Sequence, residues 1–96
     1  MIKVLKKGNL IEINGHANYA SFGQDIVCAS ASSIIYTTIN AICKIDNSAI
    51  KVEDYSKMII EILTDDEIVD KLIINMMELL NDLAQNYPKN INVKEC

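Results

Sequence analysis

Apolar residues are interleaved with polar ones along Ile2–Lys7 and again along Leu10–Asn14, two short runs rich in Ile, Val and Leu. Gly8 and Asn9 separate them, a pair that readily takes the positive φ values of a tight turn, so the pattern predicts an antiparallel hairpin. Residues 15–24 break the periodicity. They carry a glycine near each end and mostly small or polar residues between, which reads as a loop. Asp25 suits the N-cap of a helix over residues 26–44, and that start sets Cys28 in the first turn. Along this helix Ile26, Ala29, Ile34, Ile35, Ile39, Ala41 and Ile42 spread around most of the circumference, against a mild polar stripe of Ser33, Thr37, Asn40 and Lys44. Burial on more than one side is expected.

Residues 49–55 and 57–63 again alternate, with Ile50 and Val52, then Met58, Ile60 and Ile62, so a second hairpin turns around 54–56. Thr64-Asp65-Asp66-Glu67 has the form of a capping box, in which Thr64 and Glu67 satisfy each other's backbone donors, and it opens a second helix. The apolar positions Ile68, Leu72, Met76, Leu79, Leu80 and Leu83 follow helical spacing up to Pro88, leaving Ile91 and Val93 for a short terminal strand. The fold class is therefore α+β: a mixed, mainly antiparallel sheet with two helices. A three-layer α/β/α arrangement, one helix on each face, is an option.

With 96 residues, 50% of them apolar, the chain suffices for one core and is read as a single domain over residues 1–96. Domains of this size have a thin stability margin, and the apolar first helix is a candidate contact for a second copy, so a homodimer is expected. The net charge is -4, the nine basic residues are all lysines, and they are scattered. Clustered basic groups and arginine are what bind phosphate and read bases, so this pattern argues against nucleic acid and suits a basic protein or peptide partner.

Cys28, Cys43 and Cys96 are odd in number and far apart, and the start of the chain lacks the apolar core of a signal peptide. A disulfide framework is not expected, and the cytoplasm is the natural compartment. With no C-x-x-C pair and one histidine, neither a metal nor a cofactor is called for. Residues 26–43 carry no formal charge, yet Ser30, Ser32, Ser33, Thr37, Thr38 and Asn40 make them too polar for a span, so no membrane is implied.

The chemistry-bearing segment is residues 15–32, which places His16, the sole histidine, at the mouth of the loop and Cys28 in the helix that the loop enters. A thiol with a pKa of about 8.5 is mostly protonated at neutral pH, and the thiolate is the nucleophile. A helix N-terminus and a nearby imidazolium both favour the anion, and the helix start also offers backbone donors for an oxyanion. In such a pair the thiolate attacks the carbonyl and the histidine protonates the leaving amine. From spacing alone, a lone cysteine in an apolar helix is more often a small buried hydrophobe, and a lone loop histidine an exposed polar residue. Asp25 then is only a cap and Ser32 only a packing residue, while Cys43 among isoleucines reads as core packing and Cys96 as incidental.

Gly15-His16-Ala17, a small loop, Gly23-Gln24-Asp25-Ile26-Val27-Cys28-Ala29 and a serine four residues after the cysteine together resemble the signature of the Prp family of ribosomal-processing cysteine proteases. The specific match covers residues 15–32. The resemblance implies a homodimeric cysteine endopeptidase that removes a short N-terminal extension from a large-subunit ribosomal protein, the one numbered twenty-seven. It makes Cys28 the nucleophile and His16 the acid and base, with Asp25, Ser32 and Gly15 in support and residues 17–24 closing over bound peptide. Ser30-Ala31 departs from the expected Ala-Val, a change of packing rather than of chemistry. Two readings from other classes stand beside this one: a noncatalytic ribosome-associated binding module and a redox-sensing thiol protein.

Overall fold

A computed structural model of the chain describes residues 1–15 and 22–96, the side chains of 22–25 excepted. The elements run β1 (Ile2–Lys7), β2 (Leu10–Asn14), α1 (Phe22–Ile45), β3 (Ile50–Asp54), β4 (Met58–Ile62), α2 (Glu67–Asn86) and β5 (Ile91–Glu95). Both hairpins form as the alternation predicts. Gly8 takes φ 55 in the first turn, and the register sets Val4 opposite Ile13 and Lys7 opposite Leu10.

The five strands form one sheet in the order β3-β4-β2-β1-β5, antiparallel except for the β1/β5 pair. That order decides the number of layers. The connections β2-α1-β3 and β4-α2-β5 each join parallel strands, and they run in opposite directions across the sheet. Because β2 and β4 are themselves antiparallel, right-handed crossovers that leave them in opposite directions put both helices on the same face. Accordingly α1 and α2 pack against each other over Ile2, Val4, Ile11, Ile13, Met58 and Ile60. The opposite face carries partly or fully exposed side chains such as Lys3, Glu12, Lys51 and Glu61. The domain is thus a two-layer sandwich, and the three-layer option of one helix on each face does not hold.

Both helices differ in detail from the sequence pattern. α1 starts at Phe22, so Asp25 lies inside its first turn and is not its N-cap. An aspartate in the first turn is as well placed for the helix dipole as one at the cap, which is why the sequence does not separate the two starts. The buried stripe of α1 is single, formed by Val27, Ala31, Ile35, Thr38, Ile39 and Ile42, while Ile26 and Ile45 remain 41% and 50% exposed. Thr38 is satisfied there by donating from Oγ1 to the Ile34 carbonyl at 2.9 Å. Cys43 is exposed, not part of the core: Ile42 takes the inward position, and the next residue is carried around the helix into solvent.

In α2 the cap is Asp66, whose Oδ1 accepts from the backbone N–H of Ile68 at 2.7 Å and of Val69 at 3.3 Å. Thr64 sits two residues outside, its Oγ1 accepting from the Asp66 N–H at 3.3 Å, so the expected Thr64/Glu67 capping box is displaced by the stronger carboxylate acceptor. The buried face is Val69, Ile73, Met76, Met77 and Leu80, and Ile68 and Leu79 are exposed.

Candidate active site

Cys28 projects from α1 into a cleft of about 90 Å³ at one end of the sheet. One wall is helical, made by Cys28, Ala31, Ser32, Ile35 and Tyr36. The other is made by the adjoining ends of three strands, with Ile2 from β1, Ile13 from β2 and Met58 from β4. The thiol is half-buried, and Ser32, one turn further along the helix on the same wall, is exposed.

Gly15 completes the rim where β2 ends. Its φ is 94, and a Cβ there would overlap the Met1 carbonyl oxygen and come within 3.3 Å of the Ile2 Cα. Both the backbone conformation and the space therefore require glycine at this position. β1 is anchored beside it by the Ile2 N–H, which donates to the Asn90 carbonyl at 2.9 Å.

The early start of α1 changes the electrostatic reading of Cys28. Six residues past Phe22, it stands in the second helical turn rather than the first. Helix-dipole stabilisation falls off within the first turn, and interior N–H groups are committed to carbonyls four residues back. The expectation that the helix start itself supplies oxyanion donors at Cys28 does not hold, since the open N–H groups of α1 lie nearer Phe22.

Of the residues singled out in the sequence, the structure brings Cys28, Ser32 and Gly15 to one cleft. His16, the loop over 17–21 and the side chain of Asp25 lie outside the described residues. No group of three His, Cys, Asp or Glu side chains suited to a metal occurs among the described residues.

Tyr36 is the residue that the pattern left unmarked. It follows Ser32 at one further turn, lines the cleft, and its hydroxyl donates to Asp54 Oδ2 at 2.9 Å. That bond to a carboxylate raises the phenol above its ordinary value of 10.0, with desolvation and the Asp54 charge acting in the same direction. The signal was present in the sequence as the i, i+4, i+8 series Cys28, Ser32, Tyr36.

A small α+β sandwich with one half-buried cysteine facing a partly apolar cleft is the class that this geometry defines. The chain belongs to the family described as Cysteine protease Prp, which it matches over residues 1–92. It is 45% identical over 31 residues to the ribosomal processing cysteine protease Prp of Bacillus subtilis, a stretch covering 32% of this chain and 28% of that protein. It is 40% identical over 43 residues to the Staphylococcus aureus protein of the same description, covering 43% and 41%. The matched segments thus span less than half the length of these relatives. Among solved structures, the S. aureus ribosomal processing protease Prp with a covalently linked product peptide superposes with a TM-score of 0.87 at 23% identity, over 100% of both chains. SMU.848 from Streptococcus mutans gives 0.84 at 24% identity, over 98% of this chain and 90% of that one. These two likenesses establish the fold.

Proposed function

We propose that this chain is a cysteine endopeptidase of the cytoplasm, acting as a homodimer, that removes the N-terminal extension of the large-subunit ribosomal protein numbered twenty-seven. The observation that carries the reading is the position of Cys28, half-buried in a cleft whose rim ends at Gly15, the residue that directly precedes His16 in the chain. Membership of the cysteine protease Prp family supports the activity. The related S. aureus protease, solved with a substrate peptide and with a covalently linked product peptide, supports a peptide as the ligand.

In this mechanism the Cys28 thiolate attacks the scissile carbonyl carbon, forming an S–C bond and a tetrahedral oxyanion. The C–N bond then breaks as His16, in its protonated form, gives its proton to the departing amine. Water, deprotonated by the now neutral His16, hydrolyses the resulting thioester and restores the thiol. Ser32, exposed on the same wall, and Asp25, three residues before the thiol, orient the reacting groups. The cleft excludes bulk water on its apolar side, where Ile2, Ile13 and Met58 stand.

The test is incubation with the extended ribosomal protein, followed by mass spectrometry of the products. Cleavage by the unaltered chain and none by Cys28→Ala or His16→Ala is expected. Equal cleavage by Cys28→Ala would sink the reading.

A further inference from the structure

Beside the far end of the Cys28 cleft, at Tyr36, stands a carboxylate for which the described residues supply no cation. Asp54 ends β3 and lies opposite Met58 of the cleft in the β3/β4 register. One of its oxygens accepts from Tyr36, which itself lines the cleft and is 44% exposed. Among the described residues no lysine pairs with Asp54. The nearest lysines in sequence are already engaged, Lys51 with Glu53 at 3.4 Å and Lys57 with Glu12 at 3.6 Å. The cleft therefore runs from a thiol, past apolar side chains, to an aromatic ring whose hydroxyl holds a carboxylate at its edge, on a chain with 13 acidic and 9 basic residues.

Resting on the proteolytic reading above, we infer that Tyr36 and Asp54 form a specificity-determining subsite for a basic side chain of the peptide substrate. The carboxylate takes the charge, and the exposed ring face takes the aliphatic stem and part of the cation. The hydroxyl of Tyr36 fixes the carboxylate and so presents its other oxygen. Tyr36 is two helical turns from Cys28, about 12 Å along the axis at ~1.5 Å per residue. An extended peptide covers that in about three or four residues at ~3.3 Å each, which sets the spacing between the basic residue and the cut bond.

The test uses quenched-fluorescence peptides in which Lys, Gln or Glu is scanned through about four positions on each side of the cut bond, the reach that this spacing allows. At one position about three or four residues from the cut, the unaltered chain is expected to favour Lys over Gln by about fivefold in kcat/KM. Asp54→Asn brings that ratio to about one, Asp54→Lys turns the preference towards Glu, and Tyr36→Phe leaves an intermediate ratio. A lysine preference that survives in Asp54→Asn, or none at any position, overturns the inference. Anisotropy of the same labelled peptides on Cys28→Ala keeps the two readings apart. Lysine-selective, Asp54-dependent binding without cleavage by the unaltered chain defeats only the proteolytic reading, and cleavage without an Asp54-dependent preference defeats only the subsite. Absence of both overturns both.

Discussion

Gly15 lies so close to the Met1 carbonyl that the end of β2 and the start of β1 leave no room for a side chain between them. Gly15→Ala must therefore move Met1 as well as adopt a strained φ of 94. A loss of roughly 1–3 kcal/mol is expected, read as a lowered urea midpoint with an unchanged slope. Cleavage should fall with it, because the same displacement shifts Ile2 in the cleft wall. A fully stable Gly15→Ala would show that the β1/β2 junction is looser than these positions imply.

Cys43 and Cys96 are exposed, so both should react with small alkylating reagents alongside Cys28. In the Cys43→Ser, Cys96→Ser double variant, peptide cleavage is expected to persist with one modifiable thiol remaining. Saturating peptide should then slow its alkylation. Loss of cleavage on modifying that last thiol, by at least about 10³-fold, follows if it is the nucleophile.

Ser32 is exposed on a helix, where alanine is the better helix former, so Ser32→Ala should leave the melting temperature unchanged or slightly higher. On the proposed mechanism its turnover falls about three- to tenfold, the size of one lost hydrogen bond. Unaltered kcat would reduce Ser32 to a lining residue.

The bond from Tyr36 to Asp54 holds the phenol above 10.0. A raised folded-state value means that its contribution to stability is complete below pH 10.0, the ordinary phenol value, and is lost as pH rises through the folded value. Titration followed at the phenolate absorbance band should show Tyr36 ionising late. Tyr36→Phe should remove that late step, and Asp54→Asn should return it to the ordinary range.

Asp66→Ala should cost about 1 kcal/mol through loss of the α2 cap, and Thr64→Ala clearly less. The reverse ranking, measured by thermal unfolding, would restore the capping-box assignment.

The strands were readable because alternation leaves one choice of face: Ile2 and Val4, Ile11 and Ile13, and Met58, Ile60 and Ile62 all point to the core. The helices were less readable. Ile68-Val69, Leu72-Ile73, Met76-Met77 and Leu79-Leu80 are adjacent apolar pairs, so two stripes one position apart fit the spacing equally well. Packing on the sheet chose the one through Val69, Ile73 and Met77, with Met76 and Leu80 common to both. Likewise three successive oxygen-bearing residues before Glu67 offered three possible caps. At the site, Cys28, Ser32 and Gly15 were evident from the local segment, whereas Met58 reaches the cleft, and Asp54 the Tyr36 hydroxyl at its edge, only through strand pairing, which no local pattern encodes.

The pairing of β5 beside β1 also separates the two ends of the chain. Met1 and Ile2 border the cleft, whereas the Cys96 N–H donates to the Lys6 carbonyl at 2.8 Å, about 13 Å further along β1 at ~3.3 Å per residue. An affinity tag or dye attached after residue 96 would thus stand clear of incoming peptide, and one attached before residue 1 would crowd its entrance.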